Sequence, residues 1–76
     1  VTLAYNLSRS SRVECVIFDA SGRRIRDLYA GSQKSGSQSL TWDRKDDQGR
    51  SVNAGVYFAR LTADNAATQA KLIVLE

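Results

Sequence analysis

Apolar and polar residues alternate along most of this 76-residue chain, and that period of two constrains the fold more than any other feature of the sequence. Successive side chains of an extended strand point to opposite faces, so alternation sends one set into a core and the other into water. Leu3, Tyr5 and Leu7 share a face, as do Val13, Cys15 and Ile17, then Leu40 and Trp42, then Tyr57, Ala59 and Leu61, and finally Ala70, Leu72 and Val74. Helical spacing is nearly absent. The fold class expected is all-β, with strands over residues 2–7, 12–19, 23–29, 37–43, 55–62 and 68–75 and a short edge strand at Val52 as a seventh. Turn signals recur between them every ~8–12 residues, the rhythm of a β-sandwich.

The turns have their own chemistry. Ser8 to Ser11 is polar, and Asp19-Ala20-Ser21-Gly22 reads as a hairpin turn, because Asp bonds its own backbone and Gly supplies positive φ at little steric cost. Ile25 and Leu28 lie three apart and cannot both face inward on a regular strand, which predicts a bulge near Arg26 or Asp27. Gly31 to Gly36 reads as a loop, and Asp64-Asn65 as a turn. Residues 43–51, DRKDDQGRS, contain nothing apolar, so they are expected to cross the surface with their backbone satisfied by water and Asp side chains.

The segment from Asn53 to Ala59 sharpens the expectation to an immunoglobulin-like sandwich of six to seven antiparallel strands. Immunoglobulin strand F carries a tyrosine two residues before its inward cysteine, and its phenol bonds back to upstream backbone. Here Tyr57 precedes Ala59 at that spacing, so Cys15 has no disulfide partner and packing alone must hold the sheets. Trp42, Tyr57, Cys15, Ala59 and Gly55 make up the expected structural core.

Composition narrows the function. A chain this short forms one thin-cored domain that leaves about 40% of its unfolded surface in water. Its longest apolar run is four residues, against the ~20 of a bilayer-spanning helix, so no membrane insertion is expected. Eleven basic and eight acidic residues are interspersed, with no basic block of five, which argues against nucleic acid as a partner. The lack of methionine, and of a leader before Val1, leads to the expectation of a piece excised from a longer protein. With no histidine, a single cysteine on an inward face and serines lacking a base, the chain is expected not to be an enzyme and to need no cofactor. Asp43, Asp46 and Asp47 are candidate calcium ligands, but EF-hand spacing and a closing Glu are missing, so a loop that caps itself, with no metal, is the expected reading. Arg23, Arg24 and Arg26, gathered with Arg9 and Arg12 at one end of the sandwich, form one candidate partner-binding surface. The outward residues Val16, Phe18, Val56 and Phe58 form a second, unless a loop covers them.

The order and spacing of several motifs resemble the FlgD-type Ig-like domain over essentially the whole chain. They are Val13 to Asp19, Ser21-Gly22-Arg23-Arg24-Ile25-Arg26-Asp27-Leu28, Gly36, Leu40-Thr41-Trp42-Asp43, Asp46-Asp47, Gly49, Val52, Gly55-Val56-Tyr57-Phe58, Leu61 and Lys71-Leu72. The C-terminal sorting domains of type IX secretion share the Asp19 to Arg23 turn, the Gly55 to Phe58 strand and the late Lys71. The resemblance implies a non-catalytic C-terminal accessory module of a secreted or cell-surface bacterial protein, serving as a sorting signal or interdomain spacer. Its partner would be secretion machinery, an upstream catalytic domain or another copy, met through Arg23, Arg24, Arg26 and Lys71. The alternative it implies is a structural domain of flagellar hook-cap type. A carbohydrate-binding reading, with Trp42 and the three tyrosines as stacking platforms, is disfavoured because Trp42 belongs to an inward set. Where the family commonly has glycine after the Trp-Asp pair this chain has Arg44, so the first turn of that loop is expected to differ.

Overall fold

The computed structural model describes residues 1–64 and 66–75. Six strands follow one another as β1 (Thr2–Leu7), β2 (Ser11–Asp19), β3 (Arg24–Gln33), β4 (Gly36–Thr41), β5 (Gly55–Ala63) and β6 (Ala66–Val74). They pair antiparallel throughout, in a two-stranded sheet β1–β4 and a four-stranded sheet β3–β2–β5–β6. The all-β reading therefore stands, and β1 has the limits that its alternation predicts. Asn65 and Glu76 lie outside the described residues, so only the Asp64 half of the expected last turn is seen, with Asp64 at φ 54°.

Two strand expectations change. β3 does not stop at Tyr29 but runs on through Gly31, Ser32 and Gln33, which pair with Val13, Arg12 and Ser11 of β2. A polar composition disguised that stretch, whereas its partner strand keeps it extended. Val52 adds no strand: Lys45 and Ser51 form an isolated bridge, the Val52 amide donates to the Arg44 carbonyl, and the Val52 side chain packs on the core.

The irregularity expected near Arg26 or Asp27 is present as two. The β2–β3 register skips Leu28 between Cys15 and Val16, and skips Ile25 between Ile17 and Phe18. Each skipped residue is an extra one that a bulge can turn inward, and both pack against the core.

Val13, Cys15 and Ile17 are completely buried, and Trp42 is 1% exposed. Tyr57, Ala59, Leu72 and Val74 complete the four-stranded sheet's buried face, while Leu3 and Leu40 close over it from the other sheet. The rings of Trp42 and Tyr57 meet edge to face, with centroids 5.4 Å apart and planes at 64°. Each polar tip is satisfied: Trp42 Nε1 donates to the Lys45 carbonyl at 2.9 Å, and Tyr57 Oη donates to the Asn53 carbonyl at 2.7 Å. The second bond is the tyrosine corner that the Gly-x-Tyr spacing predicts. Gly55 leaves the expected core set, since it is exposed where β5 begins, opposite Val74. Ala70 is also exposed although it is paired with buried Ala59, because the two-stranded sheet leaves a cleft over this stretch of β6, while Leu72 and Val74 further along are covered.

Arg44 sits at φ 63°, in the left-handed region, where a side chain costs roughly 1–2 kcal/mol. The departure from glycine thus falls on a position whose backbone suits glycine. Part of the relief on substitution is offset by the larger entropy of an unfolded glycine. Arg44→Gly is expected to raise stability in urea unfolding by about 0.5–1 kcal/mol; a loss of stability would show that the arginine side chain contributes more than its backbone strain costs.

Candidate docking surface

The polar side chains are largely engaged with one another. Asp19 Oδ1 accepts the amides of Ser21 and Arg23 and the Ser21 hydroxyl, while its Oδ2 lies 3.6 Å from Arg23 Nε. Asp46 repeats the arrangement: Oδ1 accepts the amides of Gln48 and Arg50, and Oδ2 lies 3.2 Å from Arg50 Nε. In both turns the glycine amide donates to the leading Asp carbonyl, and Gly22 and Gly49 have φ of 87° and 81°. Asp19 to Arg23 and Asp46 to Arg50 are therefore two copies of one D-x-x-G-R turn, facing each other across a cleft with Tyr57 and Asn53. The letters D-D-Q-G-R at residues 46–50 carry the signal for the second copy.

The remaining aspartates of the loop clamp it onto the free edge of β3. Asp47 Oδ1 accepts the Asp27 amide, the Asp47 amide donates to the Ile25 carbonyl, and Arg26 donates to the Asp46 carbonyl. Asp43 Oδ1 accepts the Lys45 amide and lies 3.6 Å from Arg26 Nη1. The carboxylates of Asp43, Asp46 and Asp47 thus hold backbone and arginines, and among the described residues no group of three or more His, Cys, Asp or Glu converges on a cation site. The Cys15 thiol is pushed up by burial, with Asp27 adding to the effect, so it stays protonated rather than becoming a nucleophilic thiolate.

The expected arginine cluster does not assemble. Arg12 stands near the start of β2, whereas Arg24 is paired with Phe18 near its end and Arg23 lies in the turn beyond, roughly 20 Å of strand away. Arg9 pairs with Asp64, Arg12 with Glu14, Arg23 with Asp19, Arg24 with Asp47 and Arg26 with Asp43. Closeness in sequence across a hairpin and a long strand does not make closeness in space.

The outward apolar residues do come together. Register aligns Phe18 of β2 with Phe58 of β5, with Arg24 flanking Phe18 and Lys71 flanking Phe58, so one row across the sheet reads Arg24, Phe18, Phe58, Lys71. Val56 and Ile73 form the next row, and Val16 and Arg60 the row on the other side. Val16, Phe18, Val56 and Phe58 are half-buried and stand outside the core cluster, and Ile73 is 62% exposed. The Asp-rich loop is tied down at β3 instead of covering them. Arg60 and Lys71 form no ion pair among the described residues. Ile73 and Arg60 join this face beyond the expected set, and the signal for them is the period of two: Arg60 lies two positions from outward Phe58 and Ile73 two from Lys71. The aromatic stacking platform does not exist at Trp42, which is enclosed, while Tyr5 and Tyr29 spend their hydroxyls on Gln33 and the Ser32 carbonyl.

A two-sheet sandwich with a tyrosine corner and no disulfide defines an immunoglobulin-like module. More particularly, residues 1–67 match the FlgD Ig-like domain, and the chain belongs to that non-catalytic family. It is 37% identical over 60 residues to the basal-body rod modification protein FlgD of Salmonella typhimurium, and equally to that of Salmonella typhi. Each alignment takes in 79% of this chain and 26% of the relative, so the chain spans about a quarter of the length of these curated proteins. The crystal structure of FlgD from P. aeruginosa superposes with a TM-score of 0.72 at 30% identity, covering 95% of this chain and 60% of that one.

The two aspartate turns generate an acid dependence. Hydrogen bonding holds Asp19 below the ordinary carboxylate range, chiefly through the Ser21 hydroxyl and then the Arg23 amide; for Asp46 the Arg50 amide leads. Both carboxyls ionise more readily folded than unfolded, so their stabilisation is present above the unfolded value near 4 and is lost as pH falls through the lower folded values. The melting temperature is expected to fall below about pH 4, with a shallower acid slope in Asp46→Asn, and to be indifferent to calcium or chelator at pH 7. An unchanged acid slope in the variant, or a calcium shift, would contradict this assignment of the carboxylates.

Proposed function

We propose that this chain is a non-catalytic assembly domain of a bacterial flagellar protein of the hook-capping type, and that it docks on protein through the outer face of its four-stranded sheet. The observation that carries the reading is the Phe18–Phe58 pair, held between Arg24 and Lys71 and extended by exposed Ile73. Isolated exposed apolar residues need no explanation, but a contiguous set flanked by Arg60 and Lys71, which form no ion pair among the described residues, suits a partner surface that offers apolar side chains and carboxylates. Family membership supplies the flagellar context, and the relatives carry basal-body rod modification in their names. That context favours the assembly role over the sorting-signal role.

On this reading the partner is protein, including further copies of the same protein packed side by side, and the domain works outside the bacterial cell. The turns and ion pairs keep the ends and the β3 edge in order, leaving the sheet face to make the contact. Arg24 and Lys71 border the contact, while Arg23 and Arg26 serve the turn and the loop.

Ile73→Glu in the full-length protein separates docking from folding. Ile73 is mostly solvent-exposed, so stability should change by less than about 0.5 kcal/mol. Self-association measured by sedimentation is expected to weaken at least about tenfold, as one misplaced buried charge costs more than 1.4 kcal/mol. Wild-type association with an unchanged melting temperature would remove this face from the assembly.

A further inference from the structure

The two D-x-x-G-R turns share more than a backbone course. The carboxylates of Asp19 and Asp46 are tucked under them, with side chains 22% and 20% exposed, whereas those of Arg23 and Arg50 are 81% and 75% exposed. Each pair is neutral overall, but its two charges are not equally accessible. Asp19 Oδ1 already accepts two amides and a hydroxyl, and Asp46 Oδ1 accepts two amides, so the carboxylates have little left to offer a ligand. The guanidiniums keep their outer donors. Arg50 meets Asp46 through Nε, and its Nη2 makes only a long contact of 3.5 Å to Gln48 Oε1. Arg23 also approaches Asp19 through Nε, and its Nη nitrogens donate no hydrogen bond among the described residues. Holding a guanidinium by Nε orients its plane and leaves the Nη1–Nη2 fork directed away from the turn.

The turns owe little of their own order to these side chains. Among the groups that hold Asp19 low, the Ser21 hydroxyl and the Arg23 amide come first and the Arg23 guanidinium last. For Asp46 the Arg50 and Gln48 amides precede the Arg50 side chain. Exposed ion pairs of this kind add little stability. What the two arginines do supply is a cationic rim on both sides of one cleft of about 350 Å³, within the range of about 300–1,000 Å³ that ligand sites occupy. Ile25, Val52 and Tyr57, which pack into the core, form its floor. Ser51 and Asn53 add an exposed hydroxyl and carboxamide, neither of which forms a hydrogen bond among the described residues.

We propose that this cleft binds an acidic segment of a partner protein, with one carboxylate on the fork of Arg23, a second on the fork of Arg50, and an apolar side chain between them over Ile25, Val52 and Tyr57. A planar carboxylate matches a guanidinium fork through two parallel hydrogen bonds, which lysine at the same position could not provide. The apolar floor gives a peptide an advantage that a free anion of equal charge lacks. Arg23 and Arg50 are far apart in sequence and meet only because the same turn is used twice, once between β2 and β3 and once in the aspartate loop. The inference stands on these twin turns and is independent of the docking face of the four-stranded sheet.

Fluorescence anisotropy of a fluorescein-labelled Glu-Glu-Leu-Glu-Glu peptide, titrated with the full-length protein at physiological salt, tests it. Arg23→Gln and Arg50→Gln are each expected to weaken binding at least about tenfold, while Lys34→Gln should stay within about twofold. Lys34 follows Gln33, which pairs with Ser11 at the opposite end of β2, so this variant loses the same charge far from the cleft. Arg50→Lys keeps the charge, removes the fork and should bind several-fold more weakly than wild type. Ile73→Glu, on the sheet face, should leave peptide binding unchanged. No binding by the wild type, wild-type binding by Arg50→Lys, or equal weakening by Lys34→Gln would overturn the proposal. So would weakening by Ile73→Glu alone, which would move the peptide to the sheet face. Displacement of the peptide by an equal concentration of inorganic phosphate would also overturn it, by assigning the rims to a free anion.

Discussion

The buried indole of Trp42 governs the rest of the molecule. It sits between the sheets against the edge of Tyr57, and truncating such a residue costs roughly 3–5 kcal/mol, a large share of a small domain's stability. Burial obliges the indole N–H to find an acceptor, which is the Lys45 carbonyl only three residues on. That bond bends the chain sharply after β4 and is accompanied by the left-handed backbone at Arg44. The loop then runs along β3, where the aspartates clamp it and close an edge that could otherwise pair with another chain. Core packing, loop path and edge protection are one connected arrangement.

The same economy explains why function falls to the surface. Interior groups are apolar or matched internally, and among the described residues no buried side-chain polar atom lacks a partner. Arginines and aspartates neutralise each other at the ends, and surface pairs of that kind add little stability but hold loops in register. The outer face of the four-stranded sheet remains uncommitted, with two phenylalanines, an exposed isoleucine, and Arg60 and Lys71, which form no ion pair among the described residues. The narrow second sheet leaves the β1 edge open as well.

Much of this was legible in the letters, for physical reasons. Alternation fixes side-chain direction, so the buried Val13, Cys15 and Ile17 and the outward Val16 and Phe18 could be read directly. The Ile25 to Leu28 spacing announced bulges, and Asp19 to Gly22 announced its turn. Direction does not say what lies opposite, however, and that is why Ala70 faces inward yet remains wet. Nor does sequence distance measure spatial distance: Arg12 and Arg23 flank the same strand and stand at opposite ends. β3 was cut short because Gly31 to Gln33 have loop-like chemistry and are held extended by a partner strand. The second D-x-x-G-R turn is hard to see because it lies inside the wholly polar run of residues 43–51, where no strand alternation on either side frames it as a hairpin turn.

Hydroxyl-radical footprinting of the full-length protein, free and then assembled, bears most directly on a sealed core combined with a communicating outer face. Trp42 and Tyr57 should react slowly in both states, while Phe18, Phe58 and Ile73 should react readily in the free protein and become shielded on assembly. Fast oxidation of Trp42 in the free protein, or shielding that bypasses all three outer residues, would contradict the packing or the docking face respectively.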